Sequence, residues 1–269
     1  MSAEERARLA ERVASIARAA GREILRIYGQ GASHAQSKPD NSPLTEADLR
    51  SQRLIADALR ALTPDIPLLS EEAARAPYAE RSKWRQYWLV DPLDGTREFL
   101  SRNGEFTVNI ALIEAHVPVL GVVHVPVTDR TYAGIPGAAA WRYTGAGAGR
   151  QMLHVAARSA EPVRVVGSRS HRGDSLEQFL ARLGPHQMKP VGSSLKFCLV
   201  AEGAADVYPR LGPTREWDTA AAHAVVTAAG GAVVQLDGRP LEYNTRDELL
   251  NPFFVAYGDT QRDWLALLR

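Results

Sequence analysis

The chain has 269 residues, 45% of them apolar and 23% charged, with a formal net charge of +1. That length makes one large domain or two intimate ones, and the composition is that of an ordinary globular protein with ample core. The balanced charge gives no sign-biased surface that points to nucleic acid or an anionic membrane, while a local basic pocket stays open. The one cysteine, Cys198, cannot form an internal disulfide, and a cysteine zinc cluster is excluded. It stands in an apolar run and is expected to be a small core residue, not a nucleophile. Met1-Ser2-Ala3-Glu4-Glu5-Arg6 is charged and has no signal-peptide core, and no run approaches the roughly 18 apolar residues of a membrane span. A cytoplasmic protein without a transmembrane segment is expected.

Over residues 4–28, Leu9, Val13, Ile16, Ala17, Ala20, Ile24 and Ile27 recur at helical spacing. This predicts a long amphipathic helix, stopped near Gly29 and Gly31. Residues 32–44 form a loop, since Lys38-Pro39-Asp40-Asn41-Ser42-Pro43 cannot continue a helix. A second helix starts near Thr45 and runs to about Leu62, with Glu46 and Asp48 in the first turn, where negative charge suits the helix dipole. Ile66 to Leu69 is a short strand that delivers Ser70-Glu71-Glu72, followed by a loop over 73–84. Arg85 to Val90 is a strand that leads into Asp91-Pro92-Leu93-Asp94-Gly95-Thr96. Strands over 106–113, 117–127, 131–135 and 139–143, separated by Pro, Gly or Asp, predict an antiparallel meander. Gly145 to Gly149 has no helix after it and is assigned to a hairpin, not a nucleotide loop.

Around Ser159-Ala160-Glu161-Pro162 the pattern changes to alternating strand and helix. Strands are expected at 163–167, 187–191, 206–208, 232–234 and 254–256. Helices are expected at 175–183, 194–202, from Asp218 to about Ala229, and from Thr260 onward. The alternation suggests a second α/β layer set and a boundary near residue 158, giving lobes 1–158 and 159–269. No internal repeat is visible.

The chemistry gathers on acids at strand ends and helix starts: Asp48, Glu71, Asp91, Asp94 and Asp218. Asp218 taken alone is a helix N-cap, and Glu71 taken alone an exposed acid. Asp91 and Asp94 stand apart, because two acids after a buried strand, with only Pro92 and Leu93 between them, are poorly explained by solvation. Proline removes one backbone donor, and two carboxylates with a backbone carbonyl between them suit a hard divalent cation. Gly95-Thr96 lets the chain turn sharply into a helix that can meet an anion. If these acids converge, an all-oxygen site suits Mg²⁺ better than zinc, and metal-assisted phosphoester hydrolysis is expected. Thr96 can then orient the water, with Asp48 as its partner.

Glu71 in Ser-Glu-Glu, Asp91-Pro92-Leu93-Asp94-Gly95-Thr96 and Trp217-Asp218 resemble, in order, the signature of the lithium-sensitive, Mg²⁺-dependent phosphatase superfamily that includes the inositol monophosphatases. Asp40-Asn41-Ser42-Pro43, Arg97-Glu98-Phe99, Asn103 to Ile113, Ser168-Arg169-Ser170-His171, Gly192 to Gly203 and Tyr208-Pro209-Arg210 are similar to the CysQ type of 3′(2′),5′-bisphosphate nucleotidase. The resemblance spans nearly the whole chain. It implies an α/β fold of layered αβαβα type with the site between two halves. It also implies hydrolysis of adenosine 3′,5′-bisphosphate to AMP and phosphate, and of its sulfated form, in sulfur assimilation. Carried over, Glu71, Asp91, the Leu93 carbonyl, Asp94 and Asp218 are metal ligands for two or three Mg²⁺. Asp48 and Thr96, with Glu71, serve the attacking water. Gly95 and Thr96 meet the scissile phosphate, and His171, Ser193, Lys196, Arg210 and Asp218 hold the nucleotide.

Arg97 stands where this type often has Lys, which keeps the charge, and Ala222 stands where Gly often follows. An inositol or sugar phosphomonoesterase is the alternative enzyme. A non-catalytic nucleotide- or metal-binding regulator is the alternative of another class, and it requires a missing ligand that this chain does not lack. The implied partner is a small nucleotide bisphosphate, with no nucleic acid. Peripheral association with the inner membrane face stays open, and the sequence leaves the oligomeric state undetermined.

Overall fold

The computed structural model describes residues 1–31, 36–37, 43–145, 149–168 and 174–268. The chain opens with α1 (Ala3–Gly29), the two-residue strands β1 (Gln36–Ser37) and β2 (Pro43–Leu44), and α2 (Glu46–Leu62). Next come β3 (Leu68–Ser70), α3 (Tyr78–Arg81), β4 (Gln86–Asp94) and α4 (Thr96–Leu100). The meander follows as β5 (Thr107–Glu114), β6 (Val117–Val125), β7 (Arg130–Ile135), β8 (Ala139–Thr144) and β9 (Gln151–Met152). The remainder is β10 (Val163–Gly167), α5 (Asp174–Leu183), β11 (His186–Pro190), α6 (Leu195–Ala201), β12 (Val207–Arg210), α7 (Glu216–Ala228), β13 (Ala232–Gln235) and β14 (Phe254–Tyr257).

Seven strands form one sheet in the order β3-β4-β5-β6-β7-β8-β9, and five form another in the order β11-β10-β12-β14-β13. In the large sheet β3 and β4 run parallel and every other pair is antiparallel. Strand alternation divides its side chains cleanly. Trp88, Val90, Ile110, Leu112 and Val122 pack with Val13, Ala17 and Ile24 of α1 and Ile55 of α2. Tyr87, Leu89, Ala111, Ile113 and Val123 face Ala221 and Val225 of α7, and Phe197 and Cys198 of α6. On the small sheet, Val163, Val165 and Val207 pack against Leu176, Phe179 and Leu180 of α5. The layers are therefore α1/α2, large sheet, α6/α7, small sheet and α5, the expected αβαβα order. Both faces of β4 and β5 are covered, so these strands are nearly continuous apolar runs.

Close approach of α7 to the large sheet depends on two glycines. A Cβ at Gly121 would stand 2.0 Å from the Ala221 carbonyl oxygen, and one at Gly134 2.5 Å from the Val225 Cα. The alanines of α7 meet bare strand backbone, which brings the start of α7, with Asp218, down to the ends of β3 and β4.

Several expected boundaries shift. β4 runs on to Asp94, so both acids of the central motif lie on the strand and not after it. Asp91 pairs with Asn109 and Asp94 with Thr107, three steps on β4 against two on β5, so the strand bulges at Pro92-Leu93. Residues 73–84, expected as loop, contain the single turn α3. α7 starts two residues before Asp218, with Arg215 as N-cap. The expected helix from Thr260 is only a 3₁₀ turn at Leu265–Leu268. Trp264, buried and donating from Nε1 to the Asp259 carbonyl, pins the chain there. The hairpin expected at Gly145 to Gly149 lies partly outside the described residues; its flanks, β8 and β9, pair antiparallel. No helix among the described residues is long and apolar enough to cross a membrane.

Candidate active site

The parallel pairing of β3 with β4 sets Ser70 beside Val90, and the Glu71 amide donates to the Val90 carbonyl at 3.2 Å. Glu71 therefore emerges next to Asp91. α7 supplies Asp218 from above, and carboxylate oxygens of Glu71, Asp91 and Asp218 lie within 4.8 Å of one another. Asp91 is 1% exposed and accepts from the Leu93 amide at 3.0 Å. Burial, then repulsion from Glu71, Asp94 and Asp218, pushes the Asp91 carboxyl well above the ordinary carboxylate range. Burial, then Asp94 and Glu71, raises Asp218 in the same way. Three acids held together at such a cost form a set that a divalent cation relieves, and an all-oxygen set suits Mg²⁺.

Asp94 is not in that group of three. Its Oδ2 accepts from the Ser194 amide at 2.6 Å, from Asn109 Nδ2 at 3.3 Å and from Thr107 Oγ1 at 3.4 Å. Burial pushes its pKa up to about 6, with Lys196 pulling the other way. The second oxygen has none of these partners.

A second constellation lies on the other side of the β4 bulge. Asp48 is the third residue of α2, and its Oδ2 accepts from the Thr45 amide at 2.7 Å and from Thr45 Oγ1 at 2.6 Å. Its Oδ1 accepts from Thr96 Oγ1 at 3.2 Å, and Thr96 Oγ1 lies 3.4 Å from the Leu93 carbonyl. Gly95, at φ +93°, makes the reversal from strand to helix that brings Thr96 back over this carbonyl. Ser51, one turn further along α2, donates to the Pro92 carbonyl at 2.7 Å and ties the bulge to the helix.

Asp218 repeats the Asp48 arrangement. It is the third residue of α7, and its Oδ2 accepts from the Arg215 amide at 2.9 Å. Each of these acids caps its helix with one oxygen and keeps the other for the site. The loop after Glu71 is also fastened to α7, for the Arg75 guanidinium lies 4.8 Å from the Trp217 ring centre.

Beside the acids opens a cleft lined by Asp94, Gly95, Ser193, Lys196, Arg210 and Asp218, among others. Lys196 is buried, with Nζ donating to the Ser193 carbonyl at 2.6 Å and to the Val191 carbonyl at 3.1 Å. Burial lowers its pKa to about 8 against the opposing pull of Asp94. Arg210 donates from Nε to the Gly212 carbonyl at 3.1 Å and from a terminal nitrogen to the Pro213 carbonyl. Ser193 holds a left-handed φ of +47°, and the preceding Gly192 amide donates to Glu105 Oε2 at 2.8 Å. A Cβ on Gly192 would stand 2.6 Å from Glu98 Cγ. His171, with Arg169 and Ser170, lies outside the described residues, as do Asp40, Asn41 and Ser42.

The structure thus brings Glu71, Asp91 and Asp218 together, joins Asp48 to Thr96, and gathers Ser193, Lys196 and Arg210 along one cleft. Sequence reasoning missed Thr45, Ser51, Thr107, Asn109 and Ser194. A signal existed for two of them: Thr107 and Asn109 are the polar residues of an otherwise apolar run over 106–113.

The model of the inositol monophosphatase family matches residues 5–266. The 3′(2′),5′-bisphosphate nucleotidase CysQ of Escherichia coli (strain K12) is 51% identical over 245 residues, 91% of this chain and 97% of that protein. The Haemophilus influenzae protein of the same name is 37% identical, over 97% of each chain. The crystal structure of CysQ from Bacteroides thetaiotaomicron, described as a bacterial member of the inositol monophosphatase family, is 41% identical, covering 93% of this chain and 96% of that one, with a TM-score of 0.81. By family model, identity and fold together, the chain belongs to the inositol monophosphatase family.

Proposed function

We propose that this protein is a Mg²⁺-dependent phosphatase that hydrolyses the 3′-phosphate of adenosine 3′,5′-bisphosphate, giving AMP and phosphate, and acts likewise on the sulfated nucleotide. The observation that carries the chemistry is the convergence of Glu71, Asp91 and Asp218 beside the Thr96–Asp48 pair. The substrate class follows from the likeness to the bisphosphate nucleotidases.

Glu71, Asp91, Asp94, Asp218 and the Leu93 carbonyl would hold the cations, two or three in number. When bound, they supply charge neutralisation at the phosphate and a more acidic attacking water. The protein's own residues do the rest. Thr96 Oγ1 donates its hydrogen to Asp48 Oδ1, which leaves its lone pairs to accept from the attacking water. Asp48 is fixed by two bonds from Thr45, so the threonine hydroxyl keeps one orientation and Asp48 is the terminal acceptor of the water's proton. The Gly95 and Thr96 amides meet the scissile phosphate at the turn into α4. His171, Ser193, Lys196 and Arg210 form the side that holds the nucleotide, with Asp218 shared between the two sides. Water adds to phosphorus as the bond to the 3′ oxygen breaks, and that oxygen takes a proton from solvent water to leave as the 3′ hydroxyl of AMP.

In this reading lobes 1–158 and 159–269 are the two units between which the substrate lies, and the enzyme works in the cytoplasm. The test is steady-state kinetics with Mg²⁺ on adenosine 3′,5′-bisphosphate and inositol 1-phosphate. A higher kcat/KM for the nucleotide is expected. A higher value for inositol 1-phosphate would replace the nucleotidase by the sugar phosphomonoesterase.

A further inference from the structure

Three cations among the described residues line the cleft, and they differ in what their donors are doing. Lys196 has two of its three N–H groups committed to the Val191 and Ser193 carbonyls and is 6% exposed. Arg210 has committed Nε and one terminal nitrogen to the Gly212 and Pro213 carbonyls. Arg97 lines the same cleft, is exposed, and its side chain makes no hydrogen bond or ion pair with any described residue. None of its five donors is committed to a described residue, and they form a planar fork that matches two phosphate oxygens.

Its place on α4 decides which phosphate it can meet. Thr96 points inward, to Asp48 and the Leu93 carbonyl. Consecutive residues of a helix lie about 100° apart, so Arg97 cannot face the point that Thr96 faces. Arg97 instead stands where the cleft meets solvent, one residue from the turn that receives the reacting phosphate. A substrate with its scissile phosphate at Thr96 and a second phosphate at the cleft mouth brings that second group to this side chain.

We propose that Arg97 is a specificity-determining residue that grips the non-reacting phosphate of a bisphosphorylated substrate, with Lys196 and Arg210 chiefly building the wall behind it. This rests on the nucleotidase reading above. A contact to a phosphate that does not change during the reaction is equally strong in the ground and transition states, so its loss appears in KM and not in kcat.

The experiment compares adenosine 3′,5′-bisphosphate with adenosine 3′-monophosphate, which lacks the non-reacting group, for the wild type, Arg97→Ala and Arg97→Lys, with Mg²⁺ present. The wild type is expected to prefer the bisphosphate. Arg97→Ala should shrink that preference about 10- to 100-fold, the worth of a charge-assisted fork, mainly by raising KM for the bisphosphate. Arg97→Lys should restore part of it, because the charge returns without the fork. An equal loss on both substrates would place Arg97 on the reacting phosphate, and an unchanged preference would make it a surface cation; either overturns the assignment. A wild type with no preference for the bisphosphate overturns the nucleotidase reading itself, a result that the variants alone cannot produce.

Discussion

The acid cluster makes metal binding and pH act on one another, and the size of the effect can be worked from Asp94. Its pKa rises from 3.8 to about 6 in the folded protein. Each tenfold change in proton affinity is worth about 1.4 kcal/mol, so ionising this one group costs the metal-free fold about 3 kcal/mol. The sign follows from the raised value. The folded state binds the proton more tightly than the unfolded state, so metal-free stability falls as pH rises from about 4 to about 6 and is flat above that for this group. Asp91 and Asp218 are raised as well and act in the same direction. A bound cation cancels the penalty, since it favours the ionised acids. The assay is thermal unfolding with Mg²⁺ and with chelator, near pH 5 and near pH 8. Asp94 alone accounts for about 1.4 kcal/mol of penalty between those two pH values, so Mg²⁺ should raise Tm by at least roughly 3 °C more at the higher pH, taking about 2 °C per kcal/mol for a chain of this size. His124 and His223, whose pKa values burial holds down to about 4, lose stability as pH falls from about 6.5, but they do so equally with and without Mg²⁺ and drop out of the difference. An equal Mg²⁺ gain at both pH values would refute the argument, as would a gain near pH 8 that Asp91→Asn leaves intact.

Two further outcomes are expected. Thr96→Val keeps the shape of the side chain and removes the hydroxyl that Asp48 holds, so kcat should fall roughly 100-fold or more at nearly constant KM and Tm; a kcat within about fivefold of wild type would count against the water-orienting role. Gly121→Ala puts a methyl group into the Ala221 carbonyl, so it should cost about 3 kcal/mol in denaturant unfolding and lower activity per folded molecule as Asp218 moves. A wild-type unfolding midpoint would show that α7 can lift without consequence.

Much of the fold was legible because its strands and helices carry the right periods. The α1 stripe from Leu9 to Ile27 and the meander over 106–143 both appear where the apolar pattern places them. What failed was local. The extension of β4 to Asp94 could not be read, because a proline and two acids look like the end of a strand; the bulge opposite Thr107 and Asn109 is what accommodates them. At the tail, Trp264 overrides a pattern that seemed helical in sequence. At the site, capping and chemistry looked like rival explanations for Asp48 and Asp218. They are compatible, because a carboxylate has two oxygens and the third position of a helix uses only one for the cap. The shortest contact to Asp94 was hidden for a plainer reason. Ser194 stands 100 residues away in sequence, and its contribution is a backbone amide that any residue but proline would offer.

The turn at Gly192 to Ser194 has a thermodynamic corollary. Its Ser194 amide holds Asp94, its Ser193 carbonyl holds Lys196, and its Gly192 amide is itself held by Glu105. One short piece of chain is therefore bonded to the cation side and the nucleotide side at once. On the proposed assignment of Asp94 to the cations and Lys196 to the nucleotide, the two ligands are expected to bind in a coupled way. Whatever factor the first contributes to the affinity of the second, the second returns to the first, because the coupling free energy of two ligands on one protein is a single number.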